Sequence, residues 1–277
     1  MKNIFVLFAF SLLMITCKND PIIIPEFMAP QTDRVVIVEE FTGVRCPNCP
    51  KGQRELENLQ LRFPGKVVVV GVHSFFLANP LPDSKYDFRT VQAEALNRHL
   101  GIAGSKPSAV VNRTEFDLTG VDGLFNGQVD TWAGVVESEL EEFSKINLTQ
   151  GVEYNEATRE LSIDVNVITK EDINTKMYIN VMITESEIED PQEDNGVEIE
   201  EYEHNHVLRE ILTTVEGGDD FANSMGQGES ITKSFNFTLP PEDGLWRAEH
   251  IDVAVFITAD IDGERKALQA SVAKIIE

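Results

Sequence analysis

The chain has 277 residues, 42% of them hydrophobic, enough for packed cores and, at about 100–200 residues per domain, for two domains or one large one. Its 47 Asp and Glu against 23 Lys and Arg give a formal charge of −24, which argues against a general nucleic-acid binder because phosphate recognition runs on Lys and Arg. Three cysteines cannot build a disulfide-dense scaffold, so where Cys17, Cys46 and Cys49 sit matters more than their number.

The N-terminus has Lys2, an apolar run from Ile4 to Ile15, and then Thr16-Cys17. A positive charge, a short apolar core and a small residue are the parts of a secretory signal peptide, and the run falls short of the roughly 20 apolar residues that span a membrane. Leu13-Met14-Ile15-Thr16-Cys17 resembles a bacterial lipobox, in which the cysteine is acylated and becomes the first mature residue; Thr16 departs from the usual Gly or Ala. Residues 1–17 therefore read as a lipoprotein signal peptide, with Cys17 as lipidation site and membrane anchor. An ordinary secretory signal with a coincidental cysteine is the alternative. Residues 18–33, with Pro21, Pro25 and Pro30, read as an extended tether. Export leaves the remaining cysteines in an oxidising or enzyme-controlled compartment.

Arg34 to Phe41 is a β-branched run that predicts a buried strand, and Lys51 to Phe63 places Leu56, Leu59 and Phe63 at helical spacing. Cys46-Pro47-Asn48-Cys49 thus falls at a strand-to-helix junction. A thiol at a helix N-terminus faces unpaired backbone N–H groups and the positive dipole end, which favour thiolate. A second thiol one turn on can resolve a mixed disulfide. Arg45 adds a positive neighbour to Cys46, and Pro47 suits an early helical position. Structural zinc wants four ligands, and no further cysteine remains in the mature chain; a static disulfide is the bland alternative. The strand–CxxC–helix context favours a thioredoxin-like redox site over both. Glu40 lies six residues before Cys46, where an inward carboxylate relays a proton to the second cysteine of thioredoxins. Strand alternation puts one of Glu39 and Glu40 inside.

Lys66 to Val72 predicts a second strand, and Ala93, Leu96 and Leu100 a helix over about residues 88–100. Lys106-Pro107, immediately before the apolar Ser108 to Val111, resembles the cis-proline loop of thioredoxin folds, whose backbone holds an extended substrate beside the cysteine pair. Residues 126–143 predict a closing helix with Val129, Trp132, Val136, Leu140 and Phe143 on one face.

From Ile146 the pattern changes to about seven short alternating runs, which predict an immunoglobulin-like β-sandwich. The charge concentrates here: residues 144–277 hold 29 acids and 10 Lys or Arg. The stretch Glu185 to Glu203 has ten acids and no Lys or Arg, and is expected to be a solvated acidic loop. His204 and His206 share a strand face, but two ligands do not make a metal site; packing against the first half is the better expectation. The organisation read from the chain is residues 34–144 as a thioredoxin-like α/β domain and 145–277 as an all-β sandwich.

Phe41-Thr42-Gly43 leading into the CPNC motif, the Pro107 to Arg113 segment, and His204 to Arg209 together resemble the 28-kilodalton outer-membrane protein family of Bacteroidota-type lipoproteins. The resemblance implies a thioredoxin-like domain followed by an all-β domain, lipid-anchored at the outer membrane. Two functions are carried forward. The first is an extracytoplasmic thiol–disulfide oxidoreductase. It would have Cys46 attacking, Cys49 resolving, Glu40, Arg45 and Pro47 tuning the pair or relaying its proton, and Lys106 and Pro107 holding the substrate backbone. Its partner is a protein thiol or disulfide, and it needs no small-molecule cofactor or metal. The second is a non-enzymatic surface or adhesion lipoprotein that uses the thioredoxin fold as a scaffold.

Overall fold

A computed structural model of the chain describes residues 32–101, 105–116 and 123–276. The signal-peptide segment, Cys17 and nearly all of the 18–33 tether lie outside the described residues.

The α/β region begins with β1 (Val36–Thr42), every residue of which is buried. A turn leads into α1 (Cys49–Arg62), which carries Pro50 in its first turn, where a missing N–H costs little, and buries Cys49, Gly52, Leu56 and Leu59. β2 (Val67–His73) returns parallel to β1, with Val36 opposite Val67 and Thr42 opposite His73. α2 (Val91–His99) starts at Thr90, whose side chain accepts from the Ala93 N–H. β3 (Ser108–Val111) runs antiparallel to β1 and β4 (Phe125–Asn126) antiparallel to β3. α3 (Trp132–Glu141) closes the unit. It stops before Phe143, which is therefore exposed instead of sharing the buried face expected of it. The order β2-β1-β3-β4 is that of a thioredoxin-like sheet.

The all-β region follows as β5 (Ile146–Asn155), β6 (Glu160–Thr169), β7 (Met177–Glu185), β8 (Ile188–Asp194), β9 (Val197–His204), β10 (Val207–Ile211), β11 (Asp219–Ala222), β12 (Ser230–Thr238), β13 (Ile251–Ile261) and β14 (Glu264–Lys274). A three-stranded sheet, β12-β6-β5, packs against one face of β7 and β13 to form a sandwich. Its core comes from alternating residues: Leu161, Ile163, Val165 and Val167 from β6, and Ile179, Val181 and Ile183 from β7. The sandwich-type fold expected from the period-two runs is thus present, with more strands than those runs announced.

The regions share a sheet. β10 joins β2 in parallel, with the Gly71 N–H donating to the His206 carbonyl at 2.7 Å, so the order runs β14-β13-β7-β10-β2-β1-β3-β4. Val36 and Val38 pack under α1 and α3. Ile37 and Phe41 face the other way, toward α2 and Phe256 of β13. β1 is consequently covered on both faces, which explains its unbroken apolar run.

β8 and β9 belong to neither large sheet. They form a separate two-stranded hairpin across the stretch expected to be a solvated acidic loop. The turn is Asn195-Gly196, both with positive φ (50° and 83°), as a two-residue type I′ hairpin requires. β8 buries Ile188, Asp190, Pro191 and Gln192 against the rest of the protein, while most of β9 faces solvent.

Candidate functional site

Cys46 and Cys49 are joined in a disulfide, with Cα atoms 5.4 Å apart. Cys49 is the first residue of α1, and Cys46 lies in the turn before it, where its carbonyl accepts from the Cys49 N–H at 3.2 Å. That tightened turn starts the helix late. Pro47 therefore lies outside α1, and Pro50 takes the first-turn position that Pro47 was expected to fill. Arg45 does not turn its guanidinium to the sulfurs: Nε donates to the Asn79 carbonyl at 2.9 Å and Nη2 to that of Pro80. The loop is fixed further at Gly43, where an added Cβ would lie 2.4 Å from the Leu77 carbonyl oxygen, so any side chain there displaces backbone.

The Lys106–Pro107 peptide bond is cis. The Lys106 side chain runs inward and donates from Nζ to the Thr42 carbonyl at 2.7 Å and to the Ser74 carbonyl, across the C-terminal ends of β1 and β2. Burial holds its amine down to about 8, against the pull of Glu94 and Glu40.

Glu39 and Glu40 are both buried, on opposite faces of β1, so alternation does not leave one of them outside. Glu39 meets Arg113, whose Nε and Nη2 donate to its carboxylate at 2.9 and 2.7 Å. Glu40 lies on the α1 and α3 face. Its Oε1 has no hydrogen-bond partner among the described residues. Burial first, and then the charge of Glu57, push its carboxyl up to about 8, with Lys106 opposing. Gly52, one turn after Cys49, makes the room: a Cβ there would lie 2.7 Å from Glu40 Oε1, 2.9 Å from the Trp132 ring and 3.1 Å from Pro107 Cβ. The orphan carboxyl, the cis-proline and the first turn of α1 thus converge on the space that Gly52 leaves empty. A glycine inside a helical pattern is a signal of close approach.

The β8–β9 hairpin lies over this motif. The Glu193 N–H donates to the Val44 carbonyl and the Asn195 N–H to that of Pro47, both at 2.9 Å. Gln192 Nε2 reaches the Cys46 carbonyl at 3.2 Å. Asp194 pairs with Arg54 of α1 at 3.2 Å, and the Tyr202 hydroxyl donates to Gln53 at 3.0 Å. Cys46 and Cys49 are 1% and 2% exposed. The hairpin signal was present as Asn195-Gly196 between alternating runs; acidic composition outweighed it.

His204 and His206 do not converge. His204 Nε2 contacts the Asp190 carbonyl at 3.1 Å, with its ring against Phe88 and His73, while His206 Nε2 meets Gln60 Oε1 at 3.1 Å. Burial lowers both imidazoles to about 4, keeping them neutral. Among the described residues no group of three or more His, Cys, Asp or Glu could hold a metal ion.

Comparison with solved structures finds HBP35 of Porphyromonas gingivalis at 17% identity and a TM-score of 0.67, covering 89% of this chain and 76% of that one. A structural-genomics target protein from Agrobacterium tumefaciens aligns at 15% identity with a TM-score of 0.51, covering 89% of this chain and 97% of that one. At these identities the likeness is one of fold. A search of curated proteins finds no match. The profile of a family described as outer membrane protein Omp28 matches residues 93–276, from within α2 through β14, and so leaves the cysteine motif to be judged by its own geometry. With two thirds of its length inside that profile and the same two-region architecture in HBP35, the chain belongs to the Omp28 family of outer-membrane, cell-envelope proteins.

Proposed function

We propose that this protein is a lipid-anchored thiol–disulfide oxidoreductase acting on protein thiols. The observation that carries the reading is the Cys46–Cys49 disulfide at the start of α1, flanked by a cis-proline and by an orphan carboxyl held near pKa 8.

From the oxidised state, a partner thiolate attacks Cys46 Sγ, the Cys46–Cys49 bond breaks, and Cys49 leaves as thiolate and takes up a proton. The partner's second thiolate then attacks its own sulfur in the mixed disulfide, closing the partner's disulfide and releasing Cys46. Two electrons and two protons pass from the partner dithiol to the Cys46–Cys49 pair. In the reverse direction Cys46 attacks and Cys49 resolves. Glu40 is the proton carrier for Cys49: a carboxyl near 8 is protonated at neutral pH and close to an ordinary thiol at about 8.5. Thiolate at Cys46 is favoured by the start of α1. Backbone at Lys106 and Pro107 holds the partner's extended segment, while Arg45 and Pro47 hold the motif loop. The sulfurs carry the electrons, so no small-molecule cofactor or metal enters the cycle.

The second reading, a non-enzymatic surface lipoprotein with a static bridge, is favoured by the burial of both cysteines. Cys49→Ser separates the two: an exchanger accumulates a mixed disulfide on Cys46. A reduction potential below about −300 mV with no exchange overturns the enzyme reading. Mass spectrometry of the mature N-terminus should find an acylated Cys17; an unmodified cysteine or cleavage elsewhere overturns the anchor.

A further inference from the structure

The hairpin grips the motif through the motif's own backbone. Four of the five carbonyls from Gly43 to Pro47 accept from it: Val44 and Pro47 from main-chain N–H groups, Gly43 and Cys46 from Gln192 at 3.4 and 3.2 Å. Its other ties include the Tyr202 hydroxyl to Gln53 Oε1 and Gln53 Nε2 to the Glu203 carbonyl, both at 3.0 Å, and the buried His204 ring against Phe88 and His73. Asp194 meets the half-exposed Arg54, Asp190 accepts from the Lys85 N–H at 2.7 Å, and Ile188 sits in a small apolar cluster with Val44, Leu81, Phe88 and Val207.

The attachment of the hairpin to the body is equally local. Among the described residues β8 pairs only with β9, and β9 only with β8, so no ladder there ties either strand to the large sheets. The stem has a left-handed residue on each side, Glu187 and His206, both with φ of 56° and neither a glycine. Backbone of this kind changes direction sharply at single residues, as a hinge does, and it is strained for a side-chain-bearing residue. A cleft of about 370 Å³, lined by Glu187, Ile188, Glu203 and Arg247, leaves space beside the Glu187 stem.

We propose that residues 188–204 are an autoinhibitory cover over the Cys46–Cys49 disulfide, swinging about Glu187 and His206 to admit a partner protein. This rests on the oxidoreductase reading, and it accounts for the observation that most opposes it, the burial of both cysteines. A partner's extended segment competes with β8 for the motif loop, and exchange is slow until the cover is displaced. The cover and the disulfide are also linked thermodynamically. The carbonyls that it grips belong to the loop that the disulfide closes, so a change in affinity for the hairpin on reduction appears equally as a change in the ease of reduction.

The test is the rate at which dithiothreitol reduces the disulfide in the full mature protein, followed by acid quench and maleimide gel shift. Wild type is compared with Gln192→Ala/Asp194→Ala, which removes the side-chain grip of β8 on the motif loop and Arg54 and leaves the hairpin's main chain intact. The variant should be reduced about tenfold faster, the change expected from losing about one net hydrogen-bond equivalent and an exposed ion pair. Amide exchange gives a second readout needing no variant. Glu193 and Asn195 should exchange together, and well ahead of Val38 in β1. Equal, fast reduction of both proteins overturns the cover and leaves the oxidoreductase reading standing. Equal, slow reduction, with the Glu193 and Asn195 amides as protected as Val38, overturns the cover as a moving part. Trapping on Cys49→Ser, scored separately, decides the exchange reading itself.

Discussion

Two faces of one strand bury the same side chain to opposite ends. On the face toward α2 and β13, Glu39 is held by a bidentate Arg113, whose guanidinium also sits 4.9 Å above the Phe256 ring. On the face toward α1 and α3, its neighbour Glu40 has no partner for Oε1 among the described residues, and the cation that acts on it, Lys106, donates its amine to the Thr42 and Ser74 carbonyls. Both are buried, at 0% and 4% exposed, so burial does not distinguish a paired carboxylate from an orphan one. The partner does. A paired charge is fixed, whereas an unpaired one avoids its penalty by keeping a proton, and a group that keeps a proton near neutral pH can give it away.

Removing the partner from the satisfied face should have the largest effect. Arg113→Met leaves Glu39 ionised or forced to protonate in a site that excludes water, and breaking such a pair costs about 3–5 kcal/mol. Urea denaturation at neutral pH measures it. Glu39→Leu/Arg113→Met should recover most of the loss, since well-packed apolar replacements of buried pairs are often neutral. A single-variant loss below about 1 kcal/mol would mean that the pair contributes little, and that the two faces are more alike than their geometry suggests.

The sequence made the scaffold readable and left the polar details hidden. Period-two runs and the strand–CxxC–helix junction located β1, α1, β2 and most of the sandwich strands, because apolar spacing is a local property. The register of Arg113 on Glu39 is not local: the residues are 74 apart, and their meeting depends on β3 pairing with β1. Alternation promised one glutamate inside; both are buried because β10 and β13 extend the sheet and cover the second face. The β8–β9 hairpin was concealed for a different reason. Its acids suggested solvent, yet Asp190 and Gln192 are buried and are satisfied in part by the backbone of Lys85 and of the motif loop. Of the site, the cysteines, Glu40 and the proline were legible as residue types in a familiar order. Trp132 and Gln192 act through close approach, which only packing reveals, and Gly52 signals an approach without naming what comes close.

The orphan face can be broken at Glu40. With its carboxyl raised from 4.5 to about 8, the folded protein holds one proton more than the unfolded chain between those values, so this group makes stability fall as pH rises through that window. Its cost is absent below about pH 4.5 and complete above about pH 8. Glu40→Gln should therefore match wild type near pH 4 and exceed it near pH 9 by on the order of 5 kcal/mol, at about 1.4 kcal/mol per pKa unit over the shift from 4.5 to about 8. The same variant should lose the titration near pH 8 from the rate of thiol exchange. Parallel stability curves for the two proteins between pH 5 and 9 would place Glu40 with Glu39, as a carboxylate that the fold has already compensated.

The smallest change sharpens what keeps the orphan face crowded. Gly52→Ala should gain up to about 1 kcal/mol of helix propensity if the site were open. It is not: the new methyl would sit 2.7 Å from Glu40 Oε1, 2.9 Å from the Trp132 ring and 3.1 Å from Pro107 Cβ. Glu40 is the end of a flexible side chain and can yield. Trp132 has less freedom, since it is fully buried with its indole N–H on the Asn126 carbonyl at 2.9 Å, and Pro107 is a ring held in the loop between α2 and β3. Overpacking of this kind costs about 1–3 kcal/mol, so the net expectation is a loss of about 1–2 kcal/mol. Glu40→Ala in the same chain should recover only part of it, because the ring contacts remain. A net gain for Gly52→Ala alone would show that the carboxyl moves aside freely. Glu40 would then be loosely held beside the cysteines, and the difference between the two faces of β1 would lie in charge pairing without any contribution from packing.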